Sequence, residues 1–327
     1  MIQLHQPPLW KQILRSNFVN WEKLADFLEL SLEDRALIDS KPNFILNLPK
    51  RLAEKIEKGN LKDPLLLQFL PTLAEKVALS SYVNDPTEDN TFCKSSKLLQ
   101  KYQNRALLIC TSACAMHCRY CFRQNFDYDQ QGTIFEKEIE IISEDSSIHE
   151  IILSGGDPLS LSNAILENLF QRLSNIPHIS RIRLHTRFPI GIPERIEPAF
   201  LSILKTIPKQ LWFIIHVNHA RELDDDVLAA LANLRKLGIV LMNQSVLLRG
   251  VNDNIVSLKE LCEKLVDNGI VPYYLHQLDR VAGSSHFDVP IEKGKWLISE
   301  LRKQLSGYAI PTYVAEISGE HSKTPLF

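Results

Sequence analysis

Cys114-Ala115-Met116-His117-Cys118-Arg119-Tyr120-Cys121 sets three cysteines in the pattern C-x-x-x-C-x-x-C. Thiolates this close in sequence cannot form ordinary disulfides with one another, but they can grip a soft metal centre. A complete iron–sulfur cage takes four thiolates and a structural zinc site takes four ligands. No further cysteine follows until Cys262. A cluster held by three cysteines leaves one iron open, and an open coordination position is where a substrate or cofactor binds. The bland alternative is a zinc knuckle with His117 as fourth ligand. Its adjacency to Cys118 speaks against that, because neighbouring side chains rarely aim at one metal. Tyr120 adds an aromatic face beside the last cysteine.

At 327 residues the chain can bury a large core and form one big domain with a smaller one. The 37 Lys and Arg against 39 Asp and Glu leave a net charge of −2, so no basic footprint for nucleic acid stands out. Hydrophobic residues make up 45%, an ordinary globular share, and no apolar run approaches membrane-spanning length. The opening Met1-Ile2-Gln3-Leu4-His5-Gln6-Pro7-Pro8 lacks the basic-then-apolar layout of a signal peptide. Six cysteines with three clustered fit a reducing cytoplasm, where thiols stay free for metal. Cys93, Cys110 and Cys262 read as structural, Cys262 within the helical pattern of residues 258–265.

Around the cysteines the texture is that of an α/β chain. Apolar strands are expected at 106–110, 150–154, 181–186, 212–217, 240–246 and 273–278, with helical periodicity at 136–142, 164–173, 199–206, 225–237 and 257–268. Continuously apolar runs such as Trp212-Phe213-Ile214-Ile215 suit parallel strands buried on both faces. Six β/α repeats suggest a partial or full β/α barrel, whose chemistry lies at the carboxyl ends of its strands. The cysteine loop follows the first of these strands directly. Upstream, short amphipathic helices are expected at 10–14, 21–28, 31–37 and 49–58, the last with proline at its start and Gly59 at its end. Residues 1–98 thus form a helical layer and a polar linker (82–98), and residues 99–327 the barrel core.

The cysteine triplet resembles the signature of the radical S-adenosylmethionine (SAM) superfamily. That resemblance implies a partial, six-stranded (β/α) barrel with an N-terminal helical layer. It also implies a 4Fe-4S cluster on Cys114, Cys118 and Cys121 whose open iron is chelated by SAM. Reductive cleavage then yields a 5′-deoxyadenosyl radical, work done by cofactors rather than side chains. Ser154-Gly155-Gly156-Asp157 ends the second strand, where two glycines permit either a turn or a close ligand approach. In context it resembles the glycine-rich element that meets the amino group of SAM. In the fifth strand, Gln244 and Ser245 need polar partners: SAM for Gln244, an internal hydrogen-bond network equally for Ser245.

Further stretches narrow the resemblance. Phe122-Arg123, Asn243-Gln244-Ser245-Val246-Leu247-Leu248-Arg249-Gly250-Val251-Asn252-Asp253, Gln277-Leu278-Asp279 and Glu316-Ile317-Ser318-Gly319-Glu320-His321-Ser322-Lys323-Thr324-Pro325 together resemble the lysine 2,3-aminomutase family, over about residues 101–325. The family uses pyridoxal phosphate (PLP) as well as SAM. Moving an amine from the α to the β carbon means removing a hydrogen with no useful acidity, which a side-chain base cannot do. The resemblance implies that Lys323 carries PLP as a Schiff base. It assigns Lys101, Tyr102 and Arg105 to the PLP phosphate and Arg123 to the substrate α-carboxylate, where a guanidinium forks onto both oxygens. Asp279 and Glu316 then hold the ε-ammonium, although clostridial enzymes carry an aspartate at the position of Glu316. Ser318-Gly319 would offer backbone amides near the PLP, and His216, His219 and His276 could touch either cofactor.

The front layer is short and the chain ends four residues after Lys323, whereas clostridial members continue into an oligomerisation segment. The compact form is similar to the bacterial branch that makes (R)-β-lysine for the ligase that modifies elongation factor P. The expected activity is therefore L-lysine to β-lysine in the cytoplasm, with a reductant protein for the cluster and without nucleic-acid or membrane partners. The competing readings are a glutamate 2,3-aminomutase, which Asp279 and Glu316 would disfavour by repulsion, and a non-catalytic iron–sulfur binding protein.

Overall fold

A computed structural model describes residues 6–128 and 132–327; residues 1–5, part of the stretch read above for a signal peptide, lie outside the described residues. Ten strands form one sheet in sequence order: β1 (Cys93–Ser95), β2 (Leu98–Leu99), β3 (Arg105–Ile109), β4 (Glu150–Ser154), β5 (Arg181–Thr186), β6 (Gln210–His216), β7 (Val240–Val246), β8 (Val271–His276), β9 (Thr312–Ala315) and β10 (Thr324–Pro325). Strands β3 to β9 pair in parallel with their sequence neighbours. Antiparallel pieces flank them: β1 and β2 on one side, β10 on the other. No ladder joins β1 to β10 among the described residues, so the barrel is partial.

The six expected parallel strands all form, and β9 adds a seventh. Helices α5 (Glu136–Glu144), α6 (Asn163–Ser174), α8 (Pro198–Lys205), α9 (Asp225–Arg235), α10 (Ile255–Asp267) and α11 (Ile291–Gln304) alternate with them, and one-turn α7 (Phe188–Gly191) follows β5. Ser162, Asp224 and Asn254 cap α6, α9 and α10 by accepting backbone N–H bonds. Side-chain alternation sorts the two faces of the sheet. The row Leu108, Leu153, Leu184, Phe213 and Leu241 runs in register across β3 to β7 and is buried. The next row, Leu107, Ile152 and Arg183, faces the central cavity instead. Burying leucines on one face therefore delivers polar side chains to the other.

Helix α11 and β9 escaped the sequence reading because Gly294 interrupts the helical run and β9 spans four residues. A Cβ at Gly294 would stand 2.3 Å from the Tyr313 ring, so the glycine is what lets α11 lie on β9.

The front layer contains α1 (Leu9–Leu14), α2 (Trp21–Phe27), α3 (Leu32–Arg35) and α4 (Lys50–Ala53). Helix α4 is one turn rather than the expected span 49–58, because the backbone N–H of Glu57 donates to the buried Asp63 carboxylate at 3.0 Å and leads the chain away. Trp10 packs edge-on against Phe188, ring centroids 5.5 Å apart, and Arg51 pairs with Glu194, Asp224 and Asp226 of the barrel. The sheet begins at Cys93, inside the stretch read as a linker. Cys110 and Cys262 are buried as expected of structural cysteines, but Cys93 is exposed. No helix among the described residues is long and apolar enough to cross a membrane.

Candidate active site

One cavity of about 370 Å³ opens at the carboxyl ends of the parallel strands. Most of the residues singled out above line it: Cys114, Cys118, Tyr120, Cys121 and Arg123 from the loop after β3; Gly155, Gly156 and Asp157 after β4; Gln244 from β7; Asp279 after β8; Lys101, Tyr102 and Arg105 before and on β3; and Glu316 and Lys323 flanking the β9–β10 turn.

The cysteines are free, with no disulfide among them. Burial pushes the Cys121 thiol up to about 11 and Cys114 well above its ordinary value. At Cys118 the Arg187 Nη1 donates to Sγ at 2.8 Å, a cation beside a sulfur. No three His, Cys, Asp or Glu side chains of the described residues converge to hold a single ion. A cubane needs no such convergence, since each thiolate binds a different iron. His117 is spoken for: its Nδ1 bonds to the Ile45 carbonyl at 2.8 Å and its ring stacks on Phe44, which leaves the zinc-knuckle reading without support.

Gly155 and Gly156 are required by the chain itself. A Cβ at Gly155, whose φ is +112°, would lie 2.7 Å from the Thr111 carbonyl, and one at Gly156 2.4 Å from the Ala113 carbonyl. The close approach inferred from the glycines is thus that of the cysteine loop. Asp157 lines the cavity and is also engaged within the chain. Its carboxylate accepts from the backbone N–H groups of Leu159, Arg187 and Phe188 and from the Thr186 hydroxyl, tying β4 to β5. Burial still lifts its pKa to about 6. Gln244 projects towards His185, Nε2 to Nδ1 at 3.5 Å, while Ser245 joins an internal network with Asn243 and the Val217 carbonyl. The His185 Nε2 is buried without a partner among the described residues.

Arg123 is buried and its Nε donates to Asp89 Oδ2 at 2.8 Å, with the Ser154 hydroxyl 3.5 Å from Nη1. Asp89 comes from the polar stretch before β1 and was missed; nothing local distinguishes it from a solvated loop aspartate. Asp279 makes no side-chain hydrogen bond or ion pair among the described residues. Burial pushes its carboxyl up to about 6, opposed by Lys323 and reinforced by Glu316.

Glu316 is the opposite case. Its side chain is 8% exposed and bonds to Lys101 Nζ at 2.7 Å, Lys323 Nζ at 2.8 Å and the Tyr102 hydroxyl. Burial alone would raise its pKa, but these partners, Lys323 foremost, hold it down at about 2. Glu316 is therefore a buried carboxylate whose oxygens are already engaged. Lys101 also donates to the Thr87 carbonyl at 3.0 Å, so both its amine and the Tyr102 hydroxyl are committed within the chain. Arg105 lies over the Tyr102 ring and forms no ion pair among the described residues. His216 and His276 line the cavity, and His216 Nε2 meets the Tyr120 hydroxyl at 2.8 Å. His219 instead caps a turn by accepting from Arg221 N, and Ser318 turns outward to Glu88.

A radical SAM methyltransferase from Sphaerobacter thermophilus is similar at 16% identity and a TM-score of 0.49, over 67% of this chain and 68% of that one. The family model described as a 4Fe-4S single cluster domain matches residues 104–186. An L-lysine 2,3-aminomutase of Clostridium subterminale is 32% identical, with 97% of this chain and 77% of that protein covered. One of Escherichia coli (strain K12) is 40% identical over 322 residues, with 97% of this chain and 94% of that protein covered. With such relatives matched along almost its whole length, the chain belongs to the L-lysine 2,3-aminomutase family.

Proposed function

We propose that this chain converts L-lysine to (R)-β-lysine with a 4Fe-4S cluster, SAM and PLP, in the cytoplasm, and that the product serves the ligase that modifies elongation factor P. The observation that carries the substrate reading is Asp279, a cavity carboxylate without a partner among the described residues. A cationic side chain would satisfy it and an anionic one would be repelled.

The chain's own residues fit the three groups unequally. Cys114, Cys118 and Cys121 would hold the cluster; Tyr120, Gly155, Gly156 and Gln244 border the space for SAM. Lys323 is the amine for PLP, and the phosphate reading rests mainly on Arg105, because Lys101 and Tyr102 are engaged by Glu316. Cluster and SAM supply hydrogen-atom abstraction when bound, and PLP supplies a covalent hold on the migrating nitrogen.

Arg123, fixed through Nε by Asp89, keeps its outer N–H groups for the substrate α-carboxylate. Asp279 takes the ε-ammonium, so that substrate is held at both ends and its β-carbon is fixed between them. Glu316 serves first as the shared counter-ion of Lys323 and Lys101, offsetting the repulsion between the two amines it holds. Burial keeps His185, His216 and His276 well below the ordinary histidine range, hence neutral, and spares the substrate ammonium a repulsive neighbour. A reductant protein would supply the electron that the cluster requires.

Anaerobic turnover of the reconstituted protein with L-lysine, SAM, PLP and a chemical reductant tests the proposal by chiral chromatography. Formation of (R)-β-lysine is the expected result. The (S) product would remove the elongation factor P pathway, and β-glutamate formed from glutamate in its place would establish the rival activity.

A further inference from the structure

Arg187 was not among the residues expected to form the site. It directly follows Thr186, the last residue of β5, and its side chain is 7% exposed. Nη1 donates to Cys118 Sγ at 2.8 Å and to the Tyr120 hydroxyl at 2.5 Å. Nη2 donates to Glu222 Oε2 at 2.6 Å and to Gln68 Oε1 at 2.7 Å. Glu222 is itself fully buried and immobilised, its Oε1 accepting from the backbone N–H groups of Asn218 and His219. Gln68 belongs to the front layer, and its carbonyl accepts from Arg119 N within the cysteine motif at 2.9 Å. The guanidinium is thus fixed from two sides with one edge turned to a cysteine sulfur.

We infer that Arg187 is a positioning residue that raises the reduction potential of the cluster held through Cys118, with Glu222 and Gln68 fixing its guanidinium against the sulfur. The inference rests on the reading of Cys114, Cys118 and Cys121 as cluster ligands. Reduction adds one electron, and so one negative charge, to the cluster and its thiolates. A donor N–H on a ligand sulfur and a nearby cation both favour the more negative state, and these are the levers that set iron–sulfur potentials. Burial makes the effect larger than it would be in water. A purely structural ion pair with Glu222 would not require an N–H on Cys118. Moreover, the Nε–H of Arg187 is buried without a hydrogen-bond partner among the described residues, so the side chain is not placed to maximise its own pairing. Gln68 gives the front layer a part in this, through its bonds to Arg187 and to the cysteine motif.

The test is a redox titration of the reconstituted protein followed by electron paramagnetic resonance, with iron and sulfide content measured alongside. Arg187→Gln combined with Glu222→Gln removes both charges and strands neither. That variant is expected to keep its iron and to reduce at a more negative potential than wild type. Arg187→Lys keeps the charge but cannot span Cys118 and Glu222 with one planar fork, and should shift the potential the same way by less. Should the double variant fail to fold, the lysine variant decides alone. A cluster formed normally in both variants, with the wild-type potential, overturns the inference. So does an unchanged potential accompanied by weakened SAM binding, which would make Arg187 a ligand-binding group. Wild-type protein that assembles no cluster would instead sink the cluster reading beneath it.

Discussion

Lys323 Nζ donates to Glu316 Oε2 at 2.8 Å, joining the two feet of the β9–β10 turn. The amine that the family resemblance assigns to PLP is thereby kept inside the cavity by a carboxylate of its own hairpin. Lys323→Ala should leave the cluster and SAM cleavage intact while abolishing conversion of lysine. Parallel assays of 5′-deoxyadenosine and β-lysine check this, and β-lysine formation at the wild-type rate would refute the PLP assignment.

Asp279 titrates near 6 because burial favours its neutral form. Protonated, it cannot pair with an ammonium. The kcat/KM for lysine should therefore be flat above this value and fall about tenfold per pH unit below it. Asp279→Asn should remove that acidic limb and raise KM by roughly 10- to 100-fold, the worth of a charge-assisted bond of about 1.5–3 kcal/mol. An acidic limb that survives in the variant would belong to another group.

Asp89 holds the Arg123 guanidinium through Nε. In Asp89→Asn the arginine keeps its charge but loses its fixed orientation. The expected cost is about 1–2 kcal/mol, seen as a higher KM for lysine with kcat much less affected, and partly restored in Asp89→Glu. Equal losses in both parameters would place Asp89 in the chemistry rather than in substrate orientation.

Gly156 has no room for a methyl group, with the Ala113 carbonyl 2.4 Å and Ser112 backbone atoms 2.7 Å from where a Cβ would stand. Backbone on the facing side cannot rotate out of the way. Gly156→Ala should lower stability by about 1–3 kcal/mol and displace the loop that carries Cys114. Thermal unfolding and iron content would both drop; full iron content with unaltered stability would show that the loop is not seated on Gly156.

The parts legible in the sequence were those written over short distances. Each parallel strand from β3 to β8 announced itself by its own apolar run, and the cysteine triplet by its spacing. Lys323 and Asp279 are assigned through motif resemblance, which carries position but not partner. Asp89, Arg187 and Gln68 stayed hidden because their roles arise from chain segments that meet only in the fold. Asp157 is a like case: its setting after two glycines suits a ligand, and its bonds to Thr186, Arg187 and Phe188 arise only in the fold. The resemblance assigns Lys101 and Tyr102 to a phosphate, and no local pattern signals that Glu316 also engages both. Helix α11 was lost to a local rule, the low helical propensity of glycine, overridden by packing against Tyr313.

Tyr102 and Glu316 lie 214 residues apart in sequence, yet their side chains are hydrogen-bonded across the cavity. Contacts between such remote segments form late, after the loop-closure entropy of the intervening chain has been met by other contacts. During synthesis the cysteine motif leaves the ribosome long before Glu316 and Lys323 do. The polar ring around Lys323 therefore exists only in a chain that has folded from its first strand to its last. A truncated or misfolded product could carry the cysteines but not the complete cavity, so competence for amine migration itself reports that folding is finished.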